Sequence, residues 1–127
     1  MPVGILNEVH EPPTFYGVER NPVETNVIPT TWREAGAALA GRIGEGLGYD
    51  LLLTSGLKVP TTGANAYDLR GGRQSGRQAD ANNAAVTARI KWTGIPGISA
   101  AATVQRQSDI AQGTVADDVA GEATLWE

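Results

Sequence analysis

Strict two-residue alternation, occurring twice in one pattern, limits this chain more than any other feature. The first copy is Ala37-Ala38-Leu39-Ala40-Gly41-Arg42-Ile43, and the second, 47 residues further on, is Ala84-Ala85-Val86-Thr87-Ala88-Arg89-Ile90. Both place an arginine at the same phase of the alternation. Successive side chains of a strand point to opposite faces, so each copy reads as a strand with one oily and one polar face. A glycine-rich turn follows each, Gly44-Glu45-Gly46-Leu47-Gly48 and then Gly94-Ile95-Pro96-Gly97, and a second alternating run returns after it. The unit is a repeated β-hairpin. A sheet of such hairpins can lie in a membrane around a polar pore.

A helix is the competing reading of the alanine-rich stretch 33–43, but glycines at 36, 41, 44, 46 and 48 would each cost it roughly 1 kcal/mol. The stretch 86–93 is β-branched and aromatic with period two, which favours strand, and the repeat carries that reading back to the first copy. Composition agrees. The 127 residues contain a single phenylalanine, Phe15, and much of the apolar share is alanine. Each buried CH₂ is worth only about 0.8 kcal/mol, so a compact helical bundle would be poorly driven. No run of about 18 apolar residues offers a transmembrane helix, whereas a transmembrane strand needs only about 9–11 residues. The net charge of −4 argues against general nucleic-acid binding, and the absence of cysteine removes thiol chemistry.

The alternation predicts strands at about 2–9, 32–43, 49–57, 85–93, 98–107 and 121–127 within one partial barrel domain, 1–127. Long loops are expected at 10–31, 58–84 and 108–120, and short turns at 44–48 and 94–97. Pro12, Pro13, Pro22 and Pro29 make the first of these a loop. Leu57 is expected on the oily face with Tyr49, Leu51 and Leu53, while Leu52 interrupts the polar one. Trp32 has the wrong parity, Arg106 falls on the oily parity, and the facing of 121–127 is undecided. The sequence reads as a piece of a longer protein, because Leu125-Trp126-Glu127 stands in the middle of an expected strand. Long loops alternating with tight turns are the plan of an outer-membrane barrel. Tyr49 and Trp92, on the oily face beside the short turns, suit a lipid-interface aromatic girdle.

The run Glu11-Pro-Pro-Thr-Phe-Tyr-Gly-Val-Glu-Arg-Asn-Pro-Val-Glu24, followed by Ile28-Pro-Thr-Thr-Trp-Arg-Glu34, resembles the phosphate-selective porin O and P family of Gram-negative bacteria. So does Arg89-Ile-Lys-Trp-Thr-Gly-Ile-Pro-Gly97, with the Ala-Thr-Val-Gln and Asp-Ile-Ala-Gln-Gly that follow it. The likeness runs across essentially the whole chain and is most specific at Phe15 to Glu24 and at the Lys-Trp-Thr-Gly-Ile-Pro-Gly turn. It implies an all-β, antiparallel transmembrane β-barrel of about 16 strands in the bacterial outer membrane. It also implies a homotrimer in contact with outer-membrane lipid, passing small hydrophilic solutes, anions such as phosphate among them, by passive diffusion. Its six or so strands would make this chain a segment of such a wall, and an open curved sheet when isolated.

The inward parity collects Arg42, Arg89 and Lys91 with Glu34 and Asp50, the expected pore-lining residues. A strip of Arg and Lys favours anions, and arginine holds phosphate by paired hydrogen bonds. The plainer reading is a hydrated wall in which these cations pair with Glu34 and Asp50. Loop 10–31 is either a solvated surface loop or a constriction folded into the pore. The glycines at 44–48 would need a following helix to cradle a nucleotide; a strand follows, so they are a hairpin turn. Arg70-Gly-Gly-Arg73 with Arg77 could meet nucleic-acid or lipopolysaccharide phosphates, but Asp68 and Asp80 dilute it, and a mobile solvent-facing loop is expected. His10, the sole histidine, has only scattered carboxylates nearby and no nucleophile. No metal, cofactor, nucleic-acid partner or enzymatic activity is therefore expected. The rival is a soluble or surface-exposed β-sheet binding or adhesion module with no transport role, which would need a second apolar sheet over Val86, Ala88, Ile90 and Trp92.

Overall fold

The alternating runs form one antiparallel sheet. Its strands are β1 (Gly36–Ile43), β2 (Leu47–Thr54), β3 (Ala85–Ile95), β4 (Ile98–Gln107) and β5 (Ala123–Trp126). They lie side by side in chain order, and the sheet is open, with β1 and β5 at its edges. The fold is all-β. The computed structural model describes residues 1, 3, 22, 26, 32–74, 76, 79–113 and 121–127. Apart from single residues, the expected strand 2–9 and loop 10–31 lie outside the described residues.

Each hairpin turn follows from its residues. Ile43 pairs with Leu47 across Gly44-Glu45-Gly46, and the two glycines take φ of +61° and +90°, which side chains resist. In the second hairpin Ile95 pairs with Ile98 across Pro96-Gly97, with Gly97 at φ +83°. The register shifts between Trp92 and Ile95, an irregularity of the kind that bends and twists a ladder. Here β3 runs two residues further than the alternation alone indicates. The two turns also touch, since Thr93 N donates to Gly46 O at 2.7 Å.

Where the strands stop short of expectation, a buried apolar side chain is the cause. Residues 32–35 precede β1 instead of opening it, and Trp32 is 2% exposed in a cluster with Val3, Leu57, Val59 and Ile110. β2 likewise ends at Thr54, and Leu57, expected on the oily face, lies in the same cluster. Burying an indole or a leucine outweighs the ladder bonds that longer strands would add. Ala123 and Leu125 of β5 pack on this cluster, and in register they oppose Gln107 and Gln105. The cluster therefore sits over the polar-parity face, at the end of the long connections. The undecided facing of the last strand is resolved in the same way: Ala123 and Leu125 turn to the cluster, and Trp126 turns away, 84% exposed.

The connection between β2 and β3 is folded where it is described. Lys58 N donates to Gly72 O at 2.8 Å, Val59 N to Ile110 O at 2.7 Å, and Tyr67 N to Pro60 O at 2.8 Å. Arg73 Nε donates to Arg70 O at 2.8 Å, Arg70 N donates to the Asp68 carboxylate, and Lys58 pairs with Asp80. The Arg70–Arg73 stretch is thus a hydrogen-bonded turn rather than a free solvated loop; Arg77 lies outside the described residues.

Candidate functional site

The two faces of the sheet invert the usual soluble arrangement. One face carries Leu39, Ile43, Leu51, Leu53, Val86, Ile90, Trp92, Ile95, Ile98 and Val104, all exposed. The other buries Thr54, Thr87, Arg89, Thr103, Gln105 and Gln107. Exposed leucines are unremarkable singly, but a contiguous apolar face is not.

Register fixes the order of rows on the polar face. From the long-connection end they run Gly36–Thr54–Ala85–Gln107–Ala123, then Ala38–Leu52–Thr87–Gln105–Leu125. Next come Ala40–Asp50–Arg89–Thr103 and finally Arg42–Gly48–Lys91–Ala101. Leu52, which breaks the polar parity, belongs to the same row as Leu125 and the same end as the apolar cluster. Exposure changes sharply along these rows: Thr87 is 0% and Gln105 2% exposed, and Arg89 is 7% exposed, whereas Arg42 and Ala101 are open to solvent.

The strand charges of the polar face fall in the two turn-side rows. Asp50 stands directly across from Arg89 in the ladder. Arg42 and Lys91 flank Gly48 in the next row. Because Gly48 has no side chain, a depression of about 580 Å³ remains there, lined by Arg42, Glu45, Gly48, Lys91 and Thr93 among others. Glu34 is not brought to this group. It lies before β1, where its carboxylate accepts from Trp32 Nε1 at 2.7 Å and from Ser55 Oγ at 2.6 Å. Its role in the structure is to tie the buried indole to the end of β2. Burial lowers the pKa of the nearby Met1 amino group, and the Glu34 charge opposes that shift.

The two aromatics named from parity lie on the apolar face near the turns, each over a glycine. A Cβ on Gly41 would lie 2.5 Å from the Tyr49 hydroxyl oxygen, and one on Gly94 would lie 2.7 Å from Trp92 Nε1. Each ring thus fills the space its glycine leaves. At the opposite end of that face Arg106 pairs with Glu122 at 2.7 Å, both well exposed.

Sequence reasoning missed the residues that hold the long-connection end. Gln107 accepts from Leu57 N at 2.8 Å and donates to Leu57 O at 2.8 Å and Asp109 O at 3.0 Å. Gln112, 1% exposed, donates to Ser55 O, Leu57 O and Asn83 O at 2.9 to 3.1 Å, and its Oε1 accepts from Asn83 N at 2.8 Å. The Asp109 carboxylate accepts from Ala111 N and Gly113 N at 2.8 and 2.7 Å. Segments 55–59 and 108–113 are thereby tied to each other and to Asn83. Parity placed Gln107 on the polar face, but nothing in the sequence pairs Gln112 with residues 29 and 57 positions away.

An uncharacterized protein of Aquifex aeolicus (strain VF5) is 41% identical over 93 residues, which is 72% of this chain and 21% of that protein's length. The chain thus spans about a fifth of the relative it matches. No family model matches the chain, and no solved structure matches it.

Proposed function

We propose that this chain is a segment of an outer-membrane porin wall, through which small hydrophilic solutes, phosphate-like anions among them, pass by diffusion. The observation that carries the reading is the inversion of the faces: large apolar side chains exposed, threonine, glutamine and arginine buried. In water that face would be an aggregation liability; against lipid it is the expected outer surface of a barrel. Its dimensions agree. Nine steps from Val86 to Ile95 at about 3.4 Å each, tilted by about 40°, give a band about 23 Å tall, against roughly 25 Å for outer-membrane barrels. Tyr49 and Trp92 then fall near the turn-side membrane boundary, and Arg106 with Glu122 near the other.

The cationic row suits solute selection. Arg42 and Lys91 flank a side-chain-free gap at the solvent-open end of the polar face, where fixed positive charge raises the local anion concentration. Arg89, by contrast, is buried, so its reversal would perturb folding as well as the field. The test is reversal potential in planar bilayers, using the full polypeptide that carries this chain. Arg42→Glu with Lys91→Glu is expected to lower the anion-to-cation permeability ratio. An unchanged ratio sinks the selectivity claim, and failure to form any conductance sinks the porin reading itself.

A further inference from the structure

We propose that the depression over Gly48 is a binding site for a small zwitterion, a solute with a carboxylate at one end and an ammonium group at the other. The inference rests on the porin reading above and names a class of solute for the turn-side end of the polar face.

The site follows from the residues of the first hairpin. Arg42 and Lys91 lie on either side of Gly48 in one ladder row, so both side chains leave the same face with a gap between them. A Cβ on Gly48 would meet nothing closer than 3.7 Å, and one on Gly44 nothing within 4 Å. The hairpin thus gives up side-chain volume at two positions beside its charges. The resulting depression of about 580 Å³ is ample for a solute of a few heavy atoms. Glu45 stands between Gly44 and Gly46, both at positive φ, in the turn beyond the row of the two cations. It lines the same depression.

The charges select the class. Two cations and one carboxylate line one volume, and among the described residues no ion pair joins Arg42 to Glu45. Both are exposed. A simple anion would be drawn to Arg42 and Lys91 and repelled by Glu45, and a simple cation would meet the reverse. A solute carrying both charges is attracted at both ends, its carboxylate toward the gap between Arg42 and Lys91 and its ammonium toward Glu45. Arginine suits the first contact, because its planar fork matches a carboxylate. Contacts this open to water are individually weak, so the site holds its solute loosely, as a site on a diffusion path must.

The test uses β-alanine and propionate, which share a carbon skeleton and a carboxylate and differ in the ammonium group. Each is added to the full polypeptide in planar bilayers, and the concentration that half-suppresses the potassium chloride current is read. β-Alanine should act at a concentration about two- to fivefold lower than propionate, the scale of one exposed ion pair. Glu45→Gln should abolish that preference, weakening β-alanine and tightening propionate. Gly48→Leu keeps every charge and fills the gap, so it should weaken both solutes. Equal action of the two solutes on the unaltered polypeptide, or none by either, overturns the site. So does a preference that survives Glu45→Gln. Affinities left unchanged by Gly48→Leu also overturn it, because they would report a diffuse field. In all these cases the unaltered polypeptide still conducts and the porin reading stands. A polypeptide that conducts nothing fails at the porin reading and takes this inference with it.

Discussion

Single glutamines do unequal work on the polar face. Gln107 pairs with both the N–H and the C=O of Leu57, and removing its amide leaves the buried N–H unpaired, while the C=O keeps its bond from Gln112. Gln107→Ala should therefore cost roughly 1–3 kcal/mol, the penalty of one orphaned group, read as a shift of the unfolding midpoint in detergent micelles. Gln105, equally buried, has no partner for its Oε1, so Gln105→Met removes an unpaid desolvation and should cost under about 1 kcal/mol. Parity alone puts both residues on one face and cannot tell them apart. The difference arises from a contact 50 residues away in sequence. Glycines separate in the same way. A Cβ at Gly41 collides with the Tyr49 ring, whereas one at Gly48 meets nothing nearer than the Gly41 oxygen at 3.7 Å. Gly41→Val should destabilise by about 1–3 kcal/mol through overpacking, and Gly48→Ala should be close to neutral, in the same unfolding measurement.

At the scale of elements, the sequence reading succeeds where one periodicity governs and fails where a long-range contact competes. β3 and β4 are strands because Val86 to Trp92 and Ile98 to Val104 alternate without conflict, and the register sets Ala88, Ile90 and Trp92 opposite Val104, Ala102 and Ala100. Leu57 leaves its expected facing because its alternation continues that of β2 while its burial lies with Val3, Val59 and Ile110, and Trp32, whose parity the alternation does not explain, joins the same cluster, which no local pattern announces. The charges divide similarly. Arg42, Lys91, Asp50 and Arg89 follow from strand phase and fall in two adjacent rows, whereas Glu34, one turn of chain too early, is captured by Trp32 and Ser55. A strand with a lipid face and a solvent face should respond asymmetrically to charge. Ile90→Arg, near the middle of the apolar face, should cost about 2–4 kcal/mol in lipid vesicles, and Ala101→Arg, on the open part of the polar face, should cost little. Equal costs at the two positions would argue for a sheet surrounded by one kind of solvent, as the rival soluble module requires.

For the molecule as a whole, the edges decide. Among the described residues β1 has a hydrogen-bonded neighbour on one side only, and from Gly36 to Gly41 it carries no charge, no proline and no bulge to blunt the other. β5 is four residues long, and among the described residues it leaves the turn-side half of β4 without a ladder partner on the side away from β3 beyond the Thr103–Glu127 pair. Soluble proteins protect exposed edges with charge or irregularity, and barrels remove them by closure. The small apolar cluster over one end of the polar face cannot compensate, because the opposite face still presents its leucines, isoleucines and tryptophans to the surroundings. The 127-residue chain by itself, in detergent-free buffer, should therefore self-associate through its edges and apolar face, as sedimentation velocity would show. In detergent the apolar face would be covered but the edges would stay open, so association should be reduced and not abolished. A longer polypeptide supplying strands for both edges should remove it. A monomeric, cooperatively unfolding species of this chain in plain buffer would mean that both edges and the apolar face are already satisfied within it, and the barrel-wall reading would then fail.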